Sequence, residues 1–404
     1  MSSSRSRREP RERTGFSSAR RDAALIGLAL ALAAAVSVLI GQVHRATAAS
    51  APTAVVSGKT RTSADTVVTS TPTPTVNKVA NPWQPGQPEL GIDVYWSVSP
   101  GESADTVAAK IRAAVNDVVG FDANWISISF PYATTGVTSD QVFADPSMTP
   151  TVADLGSLVA VAKQAGLRVA LRPLLDGAAL ERDDPKAWRG TIAPADVPDW
   201  FASYTRLLTP YAQLAQADAV DALYVSTELT SMESYTSDWS ALTGKIASIY
   251  TGRLVASVNY DRLPASTPRI PGTSLSVDAY SPMPAAGSGA SVAQLVDGWD
   301  SWLDQYPASD LDGLQFAEVG IVPQDGAYQA PYTWSDSSGT DPKIQINWFT
   351  AACQVAQTKH LGGIYWWYLN LENTLGQTTG SDPMDILHAP GAQEITECFA
   401  TYPK

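Results

Sequence analysis

The segment Ala222-Leu-Tyr-Val-Ser-Thr-Glu-Leu229 is a short apolar, β-prone run that ends on a carboxylate, Glu228. A second segment, Leu314-Gln-Phe-Ala-Glu-Val-Gly-Ile321, has the same form and carries Glu318 near its end. Apolar runs of this length, bounded by turn or helix signals, read as strands buried on both faces. A charged residue at the end of such a strand is costly to desolvate, which makes Glu228 and Glu318 candidate functional residues. Six further runs of the same kind occupy 90–96, 125–133, 168–176, 254–261, 274–282 and 362–369. With 222–229 and 314–321 they make eight. Their ends fall about 39 residues apart, close to the pitch of a strand-helix unit with decorated loops.

The stretches between the runs carry helix signals. Val107, Ile111, Val115 and Val118 fall on one helical face after the first strand. Thr151-Val-Ala-Asp154 reads as a capping box, Leu155, Leu158, Val159 and Ala162 as the buried stripe behind it, and Gly166 as the residue that ends that helix. Alternating strand and helix predict a parallel sheet, and eight units close it into a (β/α)8 barrel. The alternative is an open doubly wound sheet, but no glycine-rich phosphate turn follows the first strand. A barrel builds its site at the carboxyl ends of its strands. Glu228 ends the fourth and Glu318 the seventh, so the two side chains are expected to line one cleft.

Charge is distributed unevenly over the 404 residues. Positions 1–82 hold 11 Lys/Arg and 4 Asp/Glu, which leaves 16 basic and 36 acidic residues for the remainder. A folded part this acidic repels phosphate backbones, so nucleic acid is not an expected partner. Twelve Trp and 15 Tyr suit a surface that stacks on sugar rings, although most of them belong in a core. His is scarce (His44, His360, His388), and no GxSxG, HExxH or P-loop pattern occurs. Zinc hydrolases with clustered His ligands and Ser-His or Cys-His nucleophile systems are thereby set aside, and no metal or cofactor is expected.

Seven Arg crowd residues 1–22, a basic tail expected to stay in the cytoplasm. The uncharged apolar run 23–41 is long enough to cross a bilayer as a transmembrane signal anchor. It also fits a signal peptide cut after Ala46-Thr-Ala48. Both readings predict export, with the folded domain over 83–404 outside the membrane. Residues 42–82, rich in Ala, Thr, Ser and Pro, read as a disordered linker. Cys353 and Cys398 lie in two helix-like runs, 345–360 and 392–399, and adjacent outer helices can bring them within bridging distance. The sequence leaves that disulfide open.

Paired carboxyls across one cleft are what a retaining glycosidase requires, one as nucleophile and one as acid/base. An ordered set of motifs carries a resemblance in the same direction. It comprises Gly91-Ile-Asp-Val-Tyr-Trp96, Asn124-Trp-Ile-Ser-Ile-Ser129, Gly166-Leu-Arg-Val-Ala-Leu-Arg-Pro173, Trp188-Arg-Gly190, Ser226-Thr-Glu-Leu229, Asp278-Ala-Tyr280, Ala317-Glu-Val-Gly320 and Gly363-Ile-Tyr-Trp-Trp367. This set resembles clan A of the glycoside hydrolases and, more narrowly, family 113, whose characterised members are β-mannanases. The resemblance implies Glu228 as acid/base and Glu318 as nucleophile, Tyr280 as a hydrogen-bond donor to the nucleophile, and Trp367 as a sugar platform. Thr227 stands where many clan A members have Asn, a variant to which family 113 itself tends, and the chain departs from the family pattern at Leu174 and Ile321, where the family favours His and Tyr respectively.

Period-two alternation puts Arg172 and Asp176 on one face of the third strand, where they can bind sugar hydroxyls or each other. Trp188 and Arg189, in the polar loop that follows, are candidate substrate contacts, as are Asn259 at the end of strand five and Trp96 after strand one. Of Trp366 and Trp367, one must face inward. The expected substrate is an extracellular β-linked polysaccharide or oligosaccharide. Two alternatives share the same residues: a barrel that binds cell-wall glycan without cleaving it, and a transglycosylase.

Overall fold

The computed structural model describes residues 75–263, 269–333, 339–376 and 382–403. All eight apolar runs are strands: β1 (Glu89–Tyr95), β2 (Trp125–Thr134), β3 (Arg168–Leu175), β4 (Ala222–Thr227), β5 (Arg253–Asn259), β6 (Ser274–Asp278), β7 (Gln315–Val319) and β8 (Gly363–Asn370). Each pairs in parallel with the next, and β1 also pairs with β8, so the ring closes as a (β/α)8-type barrel. All ten residues of β2 are buried, the mark of a strand covered on both faces. A two-residue strand, Val142–Phe143, adds antiparallel to the end of β2.

Local chemistry starts and stops the helices where the sequence predicts. In α1 (Ala104–Gly120) Ile111, Val115 and Val118 are buried. α2 (Val152–Ala165) begins at Thr151, whose side chain accepts the Asp154 N–H, and ends at Gly166 with φ 94°. Then come α3 (Val197–Ala217), α4 (Thr236–Ala247), α5 (Val292–Leu303), α6 (Pro342–Thr358) and α7 (Ala392–Thr401). Between β5 and β6 the described residues form only a 3-10 turn, Tyr260–Arg262, where a regular barrel has a helix.

Two apolar layers result. The larger lies between strands and helices. The smaller fills the amino-terminal end of the barrel with Trp125, Tyr224, Tyr365 and the small residues Ala170, Ala222 and Ala317. Glycine is required at Gly91, because a Cβ there would lie 2.1 Å from the Tyr365 ring. Beneath that ring Glu89 accepts the Tyr365 hydroxyl (2.6 Å) and pairs with Arg253 (2.8 Å). Trp83 covers this end edge-on to Trp125, with ring centroids 5.8 Å apart. The end of the expected linker is therefore docked rather than free: Val79 is buried and its N–H donates to Ala165 O (2.9 Å).

Cys353 of α6 and Cys398 of α7 form a disulfide across 45 positions, with Cα atoms 5.8 Å apart. Closing a loop of that length contributes about 4 kcal/mol in the chain-entropy account. Among the described residues no helix is long and apolar enough to cross a membrane. The basic stretch 1–22, the apolar run 23–41 and the linker as far as 74 lie outside the described residues.

Candidate active site

Glu228 follows the last residue of β4 with φ 54°, a left-handed conformation unusual for a side chain other than glycine. Its N–H donates to Ser257 O on β5 (2.9 Å), which holds the turn to the neighbouring strand. Backbone strain of this kind persists where the surroundings over-determine it, and functional sites are where it collects. The carboxyl accepts one bond from a charged donor, Arg189 Nη1 (3.0 Å). Arg189 is itself braced by Leu175 O at the end of β3 (Nε to O, 3.2 Å).

Glu318 lies in β7, in register with Asp278 of β6. The Tyr280 hydroxyl donates to its Oε2 (2.8 Å), and Arg172 Nη2 pairs with Oε1 (2.8 Å). Arg172 is 0% exposed and organises the barrel interior. Its guanidinium also donates to Asp278 Oδ1 (2.7 Å) and to the Ala317 carbonyl (3.3 Å). Asp93 Oδ1 stands further off, at 3.7 Å. The ring faces of Tyr224 and Trp367 flank the guanidinium at 5.1 and 5.9 Å. A planar fork with five donors serves several carboxylates at once, which an ammonium does not.

Burial is the first cause of every shifted acid here. It raises Glu228 to about 7, with the negative charge of Asp278 adding to it and Arg189 and Arg172 opposing. Burial also pushes Glu318 well upward, Asp278 and Glu228 reinforce it, and Arg172 pulls the other way. The charge of Glu228 acts on Glu318, as it does between carboxyls that share one site.

The structure thus brings Glu228, Glu318, Arg172, Arg189, Tyr280 and Trp367 together. Trp188 is half-buried nearby, its ring folded over Gly190, where a Cβ would meet it at 2.4 Å. Two expected platforms are corrected. Trp366 is fully buried against Phe349 of α6, with centroids 4.8 Å apart, and Trp96 is buried at 1% exposure in the strand-helix layer. Period two decides both: Trp367 points inward, so Trp366 points outward, and Asp93 points inward, so Trp96 does not. The inward aromatic of β1 is Tyr95, half-buried, with its ring 6.2 Å from that of Trp367. Asp176 does not pair with Arg172; its Oδ1 accepts the Ala178 N–H (3.0 Å) and starts the following turn. Asn259 donates to Asp261 within its own loop (2.9 Å). Asp93, Asp278 and Tyr95 were not singled out from sequence. The signal was available, since a carboxylate amid an apolar strand marks Asp93, and Asp278 precedes Tyr280 by one period.

Replacing the two tryptophans separates their roles. Trp366→Ala is expected to destabilise the fold by about 3–5 kcal/mol, the cost of a large core cavity. Trp367→Ala is expected to raise KM more than it lowers the melting temperature, and thermal unfolding beside steady-state kinetics reads both.

Residues 96–381 match Glycoside Hydrolase Family 113. No curated protein sequence matches the chain. Among solved structures, the GH113 β-mannanase AaManA from Alicyclobacillus acidocaldarius, in complex with ManMIm, is similar at 18% identity. That match covers 78% of this chain and 98% of that one, with a TM-score of 0.63. A GH113 β-1,4-mannanase is similar at 16% identity, covering 78% and 99%, with a TM-score of 0.62. GH5_18 from Streptomyces cattleya, in complex with GlcNAc, is similar at 14% identity, covering 79% and 82%, with a TM-score of 0.50. The chain is a glycoside hydrolase. Within that class it belongs to Glycoside Hydrolase Family 113.

Proposed function

We propose that the protein hydrolyses a β-linked glycan by double displacement, with Glu318 as nucleophile and Glu228 as acid/base. The observation that carries the assignment is the unequal support of the two carboxyls. Glu318 has Arg172 and the Tyr280 hydroxyl, one on each oxygen, whereas Glu228 has Arg189 alone. We take these contacts to keep Glu318 ionised and the proton on Glu228, against the stronger upward push that burial exerts on Glu318. In the first step a Glu318 oxygen bonds to the anomeric carbon, the glycosidic bond breaks, and the Glu228 proton passes to the leaving oxygen. In the second, Glu228 takes a proton from water, whose oxygen displaces Glu318 at the same carbon. Trp367 and Tyr95 offer ring faces to the sugar beside the nucleophile.

The substrate proposed is a β-mannan-like polysaccharide or oligosaccharide, because two of the similar structures are described as mannanases. Leu174 and Ile321, which replace polar residues of the family pattern and are both buried, are the places where specificity would diverge. We also propose that the protein is exported, held at the membrane by 23–41 or released by cleavage near Ala48. The basic tail, the apolar run and the disulfide support that reading, since disulfides persist in oxidising compartments.

The test is a panel of mannans, glucans, galactans and cell-wall glycans given to the purified protein, with the product anomer followed by NMR. Release of the β-anomer from mannan is expected. First release of the α-anomer would overturn double displacement, binding without turnover across the panel would favour the glycan-binding barrel, and transfer to an added acceptor sugar would identify a transglycosylase.

A further inference from the structure

The proposed chemistry leaves an electrostatic problem inside the barrel. Three carboxylates, Asp93, Asp278 and Glu318, surround the single guanidinium of Arg172, and Asp93, Asp278 and Arg172 have no exposed surface. Arg189, beside a Glu228 that keeps its proton, offsets one of these charges and leaves one negative charge uncompensated. A surplus negative charge in a dry interior is not tolerated, and such a cluster takes up a proton instead. Every unit of negative charge left there also works against an ionised Glu318, the form that the nucleophile needs.

Geometry says which carboxyl takes the proton. Asp278 holds Arg172 at 2.7 Å and accepts the Ser257 hydroxyl at 2.6 Å. Glu318 holds Arg172 and the Tyr280 hydroxyl, both at 2.8 Å. Asp93 is the poorest supplied. Arg172 is 3.7 Å away and the Ser129 hydroxyl donates at a long 3.4 Å. Its Oδ2 has no hydrogen-bond partner, as is also true of Asp278 Oδ2, but Asp93 alone lacks a short contact on the other oxygen. The groups facing it are Ser127 and Ser129 from β2, Arg172 from β3, Tyr224 from β4, Asp278 from β6 and Glu318 from β7. Arg172 is the one cation among them.

We propose that Asp93 is a neutral carboxylic acid in the working enzyme, a positioning residue whose missing charge leaves Arg172 to hold Asp278 and Glu318 ionised. The proposal rests on the assignment of Glu318 as nucleophile. Burial raises Asp93 to about 7, with Arg172, Ser127 and Ser129 opposing and the negative charge of Asp278 adding to it. It raises Asp278 and Glu318 too, so the hydrogen bonds and not burial distinguish the three. A carboxyl raised on folding stabilises the protein while it is protonated. That contribution is lost as pH climbs from the ordinary carboxylate range through about 7.

The experiment uses the full chain carrying carboxyl-13C aspartate, titrated by NMR, beside Asp93→Asn. One resonance is expected to titrate near neutrality and to vanish in D93N. If D93N does not fold, Ser127→Ala identifies the same resonance by moving its midpoint upward. D93N is expected to match the wild type in melting temperature at about pH 5 and to exceed it at about pH 8, because only the wild type then carries the buried surplus charge. The acid limb of kcat/KM, set by Glu318, should be the same in both proteins. The proposal is overturned by an Asp93 resonance that titrates in the ordinary range. It is also overturned by a D93N protein less stable at both pH values, or by an acid limb displaced downward in D93N. The NMR titration reads Asp93 whether or not any glycan is cleaved, so failure of the hydrolase reading and failure of this one are told apart.

Discussion

Glu318→Gln is expected to lower hydrolysis of every substrate by more than about 10⁴-fold, because it removes the atom that bonds to the anomeric carbon. Glu228→Gln should behave differently. On an unactivated glycan the loss is expected to be about 10²–10⁴-fold, the usual contribution of a positioned acid. On an aryl glycoside with a good leaving group the first step needs no proton, so the variant should stall as a glycosyl-enzyme. Intact-protein mass spectrometry would show one added sugar on E228Q and none on E318Q. The pH dependence follows from the raised Glu228 carboxyl. Wild-type kcat/KM should fall as pH rises through about 7, when the acid loses its proton, and that limb should be absent in E228Q. If E318Q keeps wild-type turnover, or if the adduct forms on E318Q instead, the assignment of roles is wrong.

Arg172→Met is expected to cost both fold and function. Removing one member of a buried ion pair leaves uncompensated charge in the interior and costs about 3–5 kcal/mol. Here it would strand Asp278 and Glu318 together, so the penalty belongs at the upper end of that range. The surface pairs of Lys359 with Asp300 and Asp304 provide the contrast. Solvent screens them, and breaking them is worth about 0–1 kcal/mol. Arg172→Lys preserves charge but cannot reach Asp278, Glu318 and the Ala317 carbonyl together. It should therefore fold with a lowered melting temperature and lose activity through kcat rather than KM. Chemical denaturation and steady-state kinetics on both variants decide the matter. An R172M protein as stable and as active as the wild type would remove the electrostatic account of this site.

Much of this arrangement was legible because it is local. The eight runs are predominantly apolar on both faces, as a strand covered on both faces demands, so their count and order give the barrel. Thr151 and Gly166 end α2 through their own side chain and backbone preferences, without help from distant residues. Glu228, Glu318 and Tyr280 stand at strand ends, and topology alone sends strand ends of a parallel barrel to one face. The departures have a common origin as well. The stretch after β5 reads as part of a regular strand-helix series, yet the described residues fold only into the turn Tyr260–Arg262.

The sequence by itself determined the barrel, the face on which chemistry occurs and the pair of glutamates, since these follow from periodicity and chain order. Tertiary structure alone decided which tryptophan faces the barrel interior and which supports a helix, because neighbouring residues of one strand point opposite ways and the run carries no marker of phase. It alone placed Arg172 among Asp93, Asp278 and Glu318, residues contributed by four different strands. Interactions of that kind depend on distances through the barrel interior, and separation along the chain says nothing about them.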